Sequence, residues 1–110
     1  MKYDYFKKFS LYWVKDPTAI DRNKKRPMVI LWKQNGQYIL AKVSTKYKDY
    51  NKYCYTLDEW FEAGLSRPSC IRLDKFVNCD ISSLNKRDYI GYLGELDILA
   101  IQSMLDSLYR

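Results

Sequence analysis

The sequence predicts a mainly β domain, a compact, curved, barrel-like sheet carrying two helices. Three observations lead there. Five or six short β-prone segments rich in Val, Ile, Tyr and Trp are separated by turn signals. Asn35-Gly36 sits between two of them, and both residues tolerate the positive φ of a tight hairpin turn. The last stretch, Leu96 to Leu108, changes to a period near 3.6, with Ile98, Ile101, Leu105 and Leu108 on one face and Leu99 beside them.

The elements follow in order. Phe9 to Val14 is aromatic and β-prone, and Lys15-Asp16-Pro17 ends it. A polar loop with the basic run Arg22-Asn23-Lys24-Lys25-Arg26 leads to Pro27 and a second strand, Met28 to Lys33. The unbroken apolar run of that strand predicts burial on both faces. Tyr38 to Val43 returns after the Asn-Gly turn as a third strand. A Lys- and Tyr-rich stretch to Tyr55 holds a loop and another strand. Thr56-Leu57-Asp58-Glu59 has the spacing of a capping box, predicting a helix of at most two turns that ends at Gly64, with Trp60 and Phe61 in the core. Ser69 to Leu73 and Tyr89 to Leu93 complete the strands. No repeat or linker divides residues 1–110, so a single domain is expected. A chain of this length buries roughly two-thirds of its unfolded surface, enough for a core without metals or crosslinks.

Composition removes several classes of function. The chain has no His, which excludes a Ser-His-Asp triad, a His acid–base pair and a His-ligated metal within one chain. Cys54, Cys70 and Cys79 are an odd number with no C-x-x-C spacing, and fit small buried hydrophobes in a reducing cytosol. No metal site and no cofactor are expected. The longest apolar run, Met28 to Trp32, is too short to span a bilayer, and MKYDYFKKF has no apolar signal region, so a cytoplasmic protein without membrane contact is expected.

Charge is distributed unevenly. The net +6 divides into thirteen Lys/Arg against four Asp/Glu over residues 1–55, and six against nine over residues 56–110. Eight of the eleven Tyr also lie in the first half. Cations interleaved with aromatics suit single-stranded nucleic acid, ammonium groups meeting phosphates while rings stack on bases. An acidic partner protein would use the same surface. P-loop, G-x-G-x-x-G and G-x-S-x-G signatures are absent. The remaining Arg, Ser/Thr and Asp residues suffice for one reaction, attack of an RNA 2′-hydroxyl on its own phosphate. That nucleophile is already in the substrate, so the protein need only align it, neutralise charge and move protons.

Four segments, in consistent order from Phe9 to Tyr109, resemble the PemK/MazF family of type II toxin–antitoxin ribonuclease toxins. They are Lys25-Arg26-Pro27-Met28-Val29-Ile30-Leu31, Leu40-Ala41-Lys42-Val43-Ser44-Thr45, the stretch from Asp58 through Trp60, Ala63-Gly64-Leu65 and Pro68-Ser69 to Arg72-Leu73, and Ile90-Gly91-Tyr92-Leu93 leading to Asp97. The third is the most specific and is similar to the PemK-like branch. The resemblance implies an SH3-like small β-barrel with a C-terminal helix, shared with the related CcdB branch. It also implies a homodimer, metal-independent cleavage of single-stranded RNA through a 2′,3′-cyclic phosphate, and a cognate antitoxin whose acidic, hydrophobic tail fills the RNA groove. Carried over residue by residue, Arg26 contacts the scissile phosphate, Ser44 stands where many members have Thr, and Arg72 and Asp74 act as acid and base. Lys24, Lys25, Thr45, Lys46, Tyr47 and Lys48 are the expected RNA-binding residues. The chain departs from the family pattern in lacking the His of some PemK-type first loops and the usual Gly-Asp near Phe9. A catalytically silent RNA- or antitoxin-binding module on the same barrel is one rival reading. A CcdB-like gyrase poison, with its decisive residues on the terminal helix, is another.

Overall fold

The computed structural model describes residues 6–46 and 52–109. Among these residues six strands, β1 (Ser10–Lys15), β2 (Lys25–Gln34), β3 (Gln37–Ser44), β4 (Cys54–Thr56), β5 (Cys70–Asp80) and β6 (Tyr89–Tyr92), precede one α-helix, α1 (Glu95–Leu108), with 3-10 turns at Ile81–Ser83 and Lys86–Asp88. All pairings are antiparallel and the order across the sheet is β4-β5-β3-β2-β1-β6. The ladder ends at β4 and β6 without joining them, so the expected barrel is a curled, open sheet. Asn35 and Gly36 have φ of 52° and 79°, the conformation their hairpin requires.

The continuous apolar run of β2 serves two cores. Val29 and Leu31 join one cluster with Leu11, Ala41, Ile71, Leu73, Leu93 and Ile101, while Met28 and Ile30 join another with Tyr12, Val14, Leu40, Val77 and Leu84. Neighbouring side chains of a strand point to opposite faces, so both faces of the central strands are dry. Helix α1 covers the first cluster through Ile98, Ile101, Met104, Leu105 and Leu108; Leu99 is instead 56% exposed. Glu95 and Asp97 in its first turn complement the positive end of the helix dipole. No described helix is long and apolar enough to cross a membrane.

The short helix expected after Thr56 is a set of turns. Thr56 is the last residue of β4, and the backbone N–H groups of Asp58 and Glu59 donate to the buried Asp97 carboxylate at 3.1 and 3.0 Å instead of to a local cap. Tyr55 Oη donates to the same carboxylate at 2.6 Å. A tertiary acceptor from α1 has replaced the local one. The backbone bonds of the turns are of mixed span: Ala63 N–H to Glu59 O is α-helical, Gly64 N–H to Phe61 O is one residue shorter and Leu65 N–H to Trp60 O one residue longer. Trp60 packs on the core, but Phe61 is 71% exposed. The turn presses on β6, where a Cβ on Gly91 would stand 2.0 Å from Ala63 O. Phe9 is buried at a φ of 71°, in the left-handed region that favours glycine.

β5 extends seven residues beyond the expected Leu73. Its pairing with β3 jumps from Ile71↔Val43 to Phe76↔Ala41, so residues 72–75 bow out opposite Lys42 alone. This irregularity matters for the site.

Candidate functional site

Arg26, Ser44 and Arg72 come from three neighbouring strands. Arg26 stands at the start of β2, Ser44 at the end of β3 opposite Cys70, and Arg72 just beyond, at the onset of the β5 bow. The three line one cavity of about 250 Å³, together with Asp16, Met28 and Lys42. The predicted Asp74 does not line the cavity and is tied to it through Arg72: the guanidinium donates to both its carboxylate oxygens, Nη2 to Oδ2 at 2.8 Å and Nε to Oδ1 at 3.2 Å. This bidentate geometry gives the pair direction as well as charge. The hydrogen bond from Arg72 holds the Asp74 carboxyl below the ordinary carboxylate range, outweighing burial, and Asp74 in turn raises Arg72. At neutral pH Asp74 is therefore an acceptor.

A second ion pair supports the opposite wall. Lys42 Nζ contacts Asp16 Oδ2 at 2.7 Å and donates to Thr18 Oγ1 at 3.1 Å. Asp16 is only 1% exposed, and its Oδ1 accepts from Thr18 N–H at 2.9 Å and Thr18 Oγ1 at 2.6 Å. Burial would raise the Asp16 carboxyl, but the hydrogen bonds from Lys42 and Thr18 and the charge of Lys42 hold it below its usual value. Sequence reasoning singled out neither residue. Asp16 reads as a strand-ending turn residue and Lys42 as one of many lysines in its stretch. The available signal was Asp16-Pro17-Thr18, the spacing of an Asx turn.

Ser44 is held by its own loop, its Oγ accepting from Lys46 N–H at 3.0 Å and lying 3.1 Å from Lys46 O. The thiol of Cys70, its cross-strand neighbour, is pushed up to about 12 by burial and by a hydrogen bond with Cys54, which leaves it protonated and inert. None of the three cysteines forms a disulfide.

The cavity continues into a second hollow of about 310 Å³, which shares Arg26, Pro27, Val43 and Ser44 and adds Trp13, Lys24, Lys25, Thr45 and Lys46. A third opening is lined by Thr45, Lys46, Arg67 and Pro68. Four of the six expected RNA-binding residues thus gather along one groove; Tyr47 and Lys48 lie outside the described residues. Lys25 is partly spoken for, its ammonium holding Asp88 at 2.9 and 3.0 Å. Among the described residues, seven cations (Lys24, Lys25, Arg26, Lys42, Lys46, Arg67 and Arg72) line the groove, and three of them carry a carboxylate partner: Lys25 with Asp88, Lys42 with Asp16 and Arg72 with Asp74, which leaves the groove net positive. Such a groove attracts a polyanion. No group of three or more potential metal ligands occurs among the described residues.

The open sheet, its covering helix and the basic groove at the strand ends define a small, mainly β protein with one candidate polyanion site. No protein-family model matches the chain, and no curated protein matches it by sequence. Among solved structures it is similar to the Mycobacterium tuberculosis toxin MazF-mt6, with a TM-score of 0.69 and 18% identity over 89% of this chain and 93% of that one. It is also similar to another Mtb toxin, with a TM-score of 0.63 and 20% identity over 76% and 92% of the respective chains. At these identities the likeness is one of fold, and the chain has the MazF toxin fold.

Proposed function

We propose that the chain is an endoribonuclease toxin of a type II toxin–antitoxin system, cutting single-stranded RNA without a metal. The observation that carries this is the convergence of Arg26, Ser44 and Arg72 on one cavity inside a cationic groove. A backbone phosphate seated there meets two guanidinium groups, which stabilise the extra negative charge of the pentavalent transition state. The ionised Asp74 takes the proton of the RNA 2′-hydroxyl, whose oxygen attacks the adjacent phosphorus. The bond to the 5′-oxygen breaks, leaving a 2′,3′-cyclic phosphate, and that oxygen takes a proton from water at the open groove. Ser44 orients a phosphate oxygen. Asp16 keeps Lys42 at the cavity wall as a further cation.

The same groove is where an acidic antitoxin segment would bind, competing with RNA through the same cations. A homodimer belongs to this reading through the family resemblance and a cytoplasmic setting through the cysteine pattern and the short apolar runs, and light scattering of the purified protein tests the first. The decisive experiment incubates the protein with a long unstructured RNA in EDTA and maps fragment ends. Discrete cuts ending in cyclic phosphate, abolished by Arg26→Ala, are expected. Intact but bound RNA would replace this reading with that of a silent binding module.

A further inference from the structure

A cleft of about 520 Å³, twice the volume of the Arg26 cavity, has no part in the chemistry above. It opens where the curled sheet brings the end of β5 and the turns at Ile81–Ser83 and Lys86–Asp88 round to β1, although β3 and β2 stand between them in the ladder. Its size is within the range of small-ligand pockets, roughly 300–1,000 Å³. Trp13 and Lys25 line both this cleft and the groove, so the two are continuous at that boundary.

The chemistry of the cleft differs from that of the groove. Lys15 and Lys25 are balanced by Asp80 and Asp88, and Lys25 is paired with Asp88. Balanced charge gives a phosphate no advantage here. The lining instead offers the half-exposed indole of Trp13 and the amides and hydroxyls of Gln37, Ser82, Ser83 and Asn85. Gln37 donates its amide to Asp80 Oδ1 at 3.2 Å, so its carbonyl oxygen is the acceptor it can present. Asn85 Oδ1 accepts from Arg87 N–H at 2.9 Å, so its NH₂ is the donor it can present. An aromatic face with a nearby donor and acceptor is what an unpaired nucleobase requires.

We propose that this cleft is a base-reading subsite of the groove, in which one unpaired nucleobase of the bound strand lies against Trp13 and is read by Gln37 and Asn85. The groove then supplies affinity through phosphates and the cleft supplies sequence preference. The inference rests on the reading of the groove as an RNA site, and the test separates the two.

The probes are labelled 2′-O-methyl oligonucleotides of U, A or C, which lack the nucleophile and are not cut, bound in EDTA and followed by fluorescence anisotropy. Wild type is expected to favour one base by about tenfold, the equivalent of one good base contact. In Gln37→Leu/Asn85→Ser the three oligonucleotides are expected to bind within about twofold of one another, with the salt dependence unchanged because phosphate contacts persist. Serine keeps an oxygen for the Arg87 N–H, so the turn remains capped. Trp13→Ala is expected to weaken all three about tenfold, since stacking tolerates any base. A wild type without preference, an undiminished preference in the double variant, or a uniform loss with a shallower salt slope overturns the subsite. Failure of wild type to bind any of the oligonucleotides refutes the RNA reading itself.

Discussion

Lys42→Met provides a sharp test of how the cavity wall is held. The substitution keeps an aliphatic chain of similar length and removes the cation that Asp16 faces at 2.7 Å. The Asp16 side chain is 2% exposed, while that of Lys42 is 25% exposed. Stripping the partner from a fully buried ion pair costs about 3–5 kcal/mol; the partial exposure of Lys42 and the two bonds from Thr18 reduce this to about 2–3 kcal/mol. For 110 residues the unfolding entropy converts that loss to a fall in Tm of about 9–13 °C. Urea unfolding of wild type, Lys42→Met, Asp16→Asn and the double variant at pH 7 measures the coupling directly. The pH dependence has a definite sign. Lys42 and Thr18 depress the Asp16 carboxyl in the folded protein, so this stability is present above the unfolded value near 3.9 and is lost as pH falls through the depressed value. In Lys42→Met the buried carboxyl takes up a proton more readily, and the difference from wild type narrows toward acid pH. A coupling below about 0.5 kcal/mol at pH 7, or a difference that grows on acidification, would refute the assignment of Asp16 and Lys42 as a supporting pair.

Other consequences are as specific. Arg72→Gln removes the group that holds Asp74 down, so the acid limb of its residual cleavage should move to higher pH, while the maximum rate falls about 10²-fold or more; a limb at the wild-type position would free Asp74 from the role of base. Lys24→Ala/Lys46→Ala should make the log–log salt dependence of RNA binding shallower by about 1.4, two phosphates at about 0.7 each; an unchanged slope would place the backbone elsewhere. Gly91→Ala should lower stability by about 3 kcal/mol in urea unfolding, since a Cβ there meets a backbone carbonyl at 2.0 Å. Gly36→Ala, with open space around it and only a φ of 79° to oppose it, should cost about 1 kcal/mol.

The legible parts of the sequence are those in which local pattern and tertiary outcome agree. The apolar run of β2, the Asn35-Gly36 hairpin and the stripe of α1 each state their fate in neighbouring residues. The turn after Thr56 was misread because its spacing satisfied a capping box while the acceptor that won was Asp97, about 40 residues away in sequence. Phe61, expected in the core with that helix, is exposed for the same reason. The groove was legible where charge stood next to a strand end, at Lys24, Lys25, Arg26 and Lys46. Asp16 was not, because the burial of a carboxylate depends on a cation from another strand.

The end of β5 was lost for a related reason that leads back to function. Ile71-Arg72-Leu73-Asp74 alternates, but the two successive charges Asp74-Lys75 break the pattern, and in isolation the segment reads as the end of a strand. In the fold it is a bow of four residues opposite a single residue of β3, after which pairing resumes to Asp80. Arg72 keeps a partner on its other side, Cys54 of β4, but neither it nor Asp74 is paired with a residue of β3. The bow takes both out of register with β3 at the point where Ser44 ends that strand and Lys42 faces the cavity, and as residues i and i+2 on one face they form their bidentate pair there. Bulges re-aim side chains at a local cost in regular pairing, and they concentrate next to functional sites for that reason. The place where the alternation breaks is therefore part of the irregularity that the proposed chemistry uses. The second half of β5, Val77 to Asp80, continues along the base-reading cleft, so one bent strand carries the reacting end of the groove and a wall of the subsite that would select what enters it.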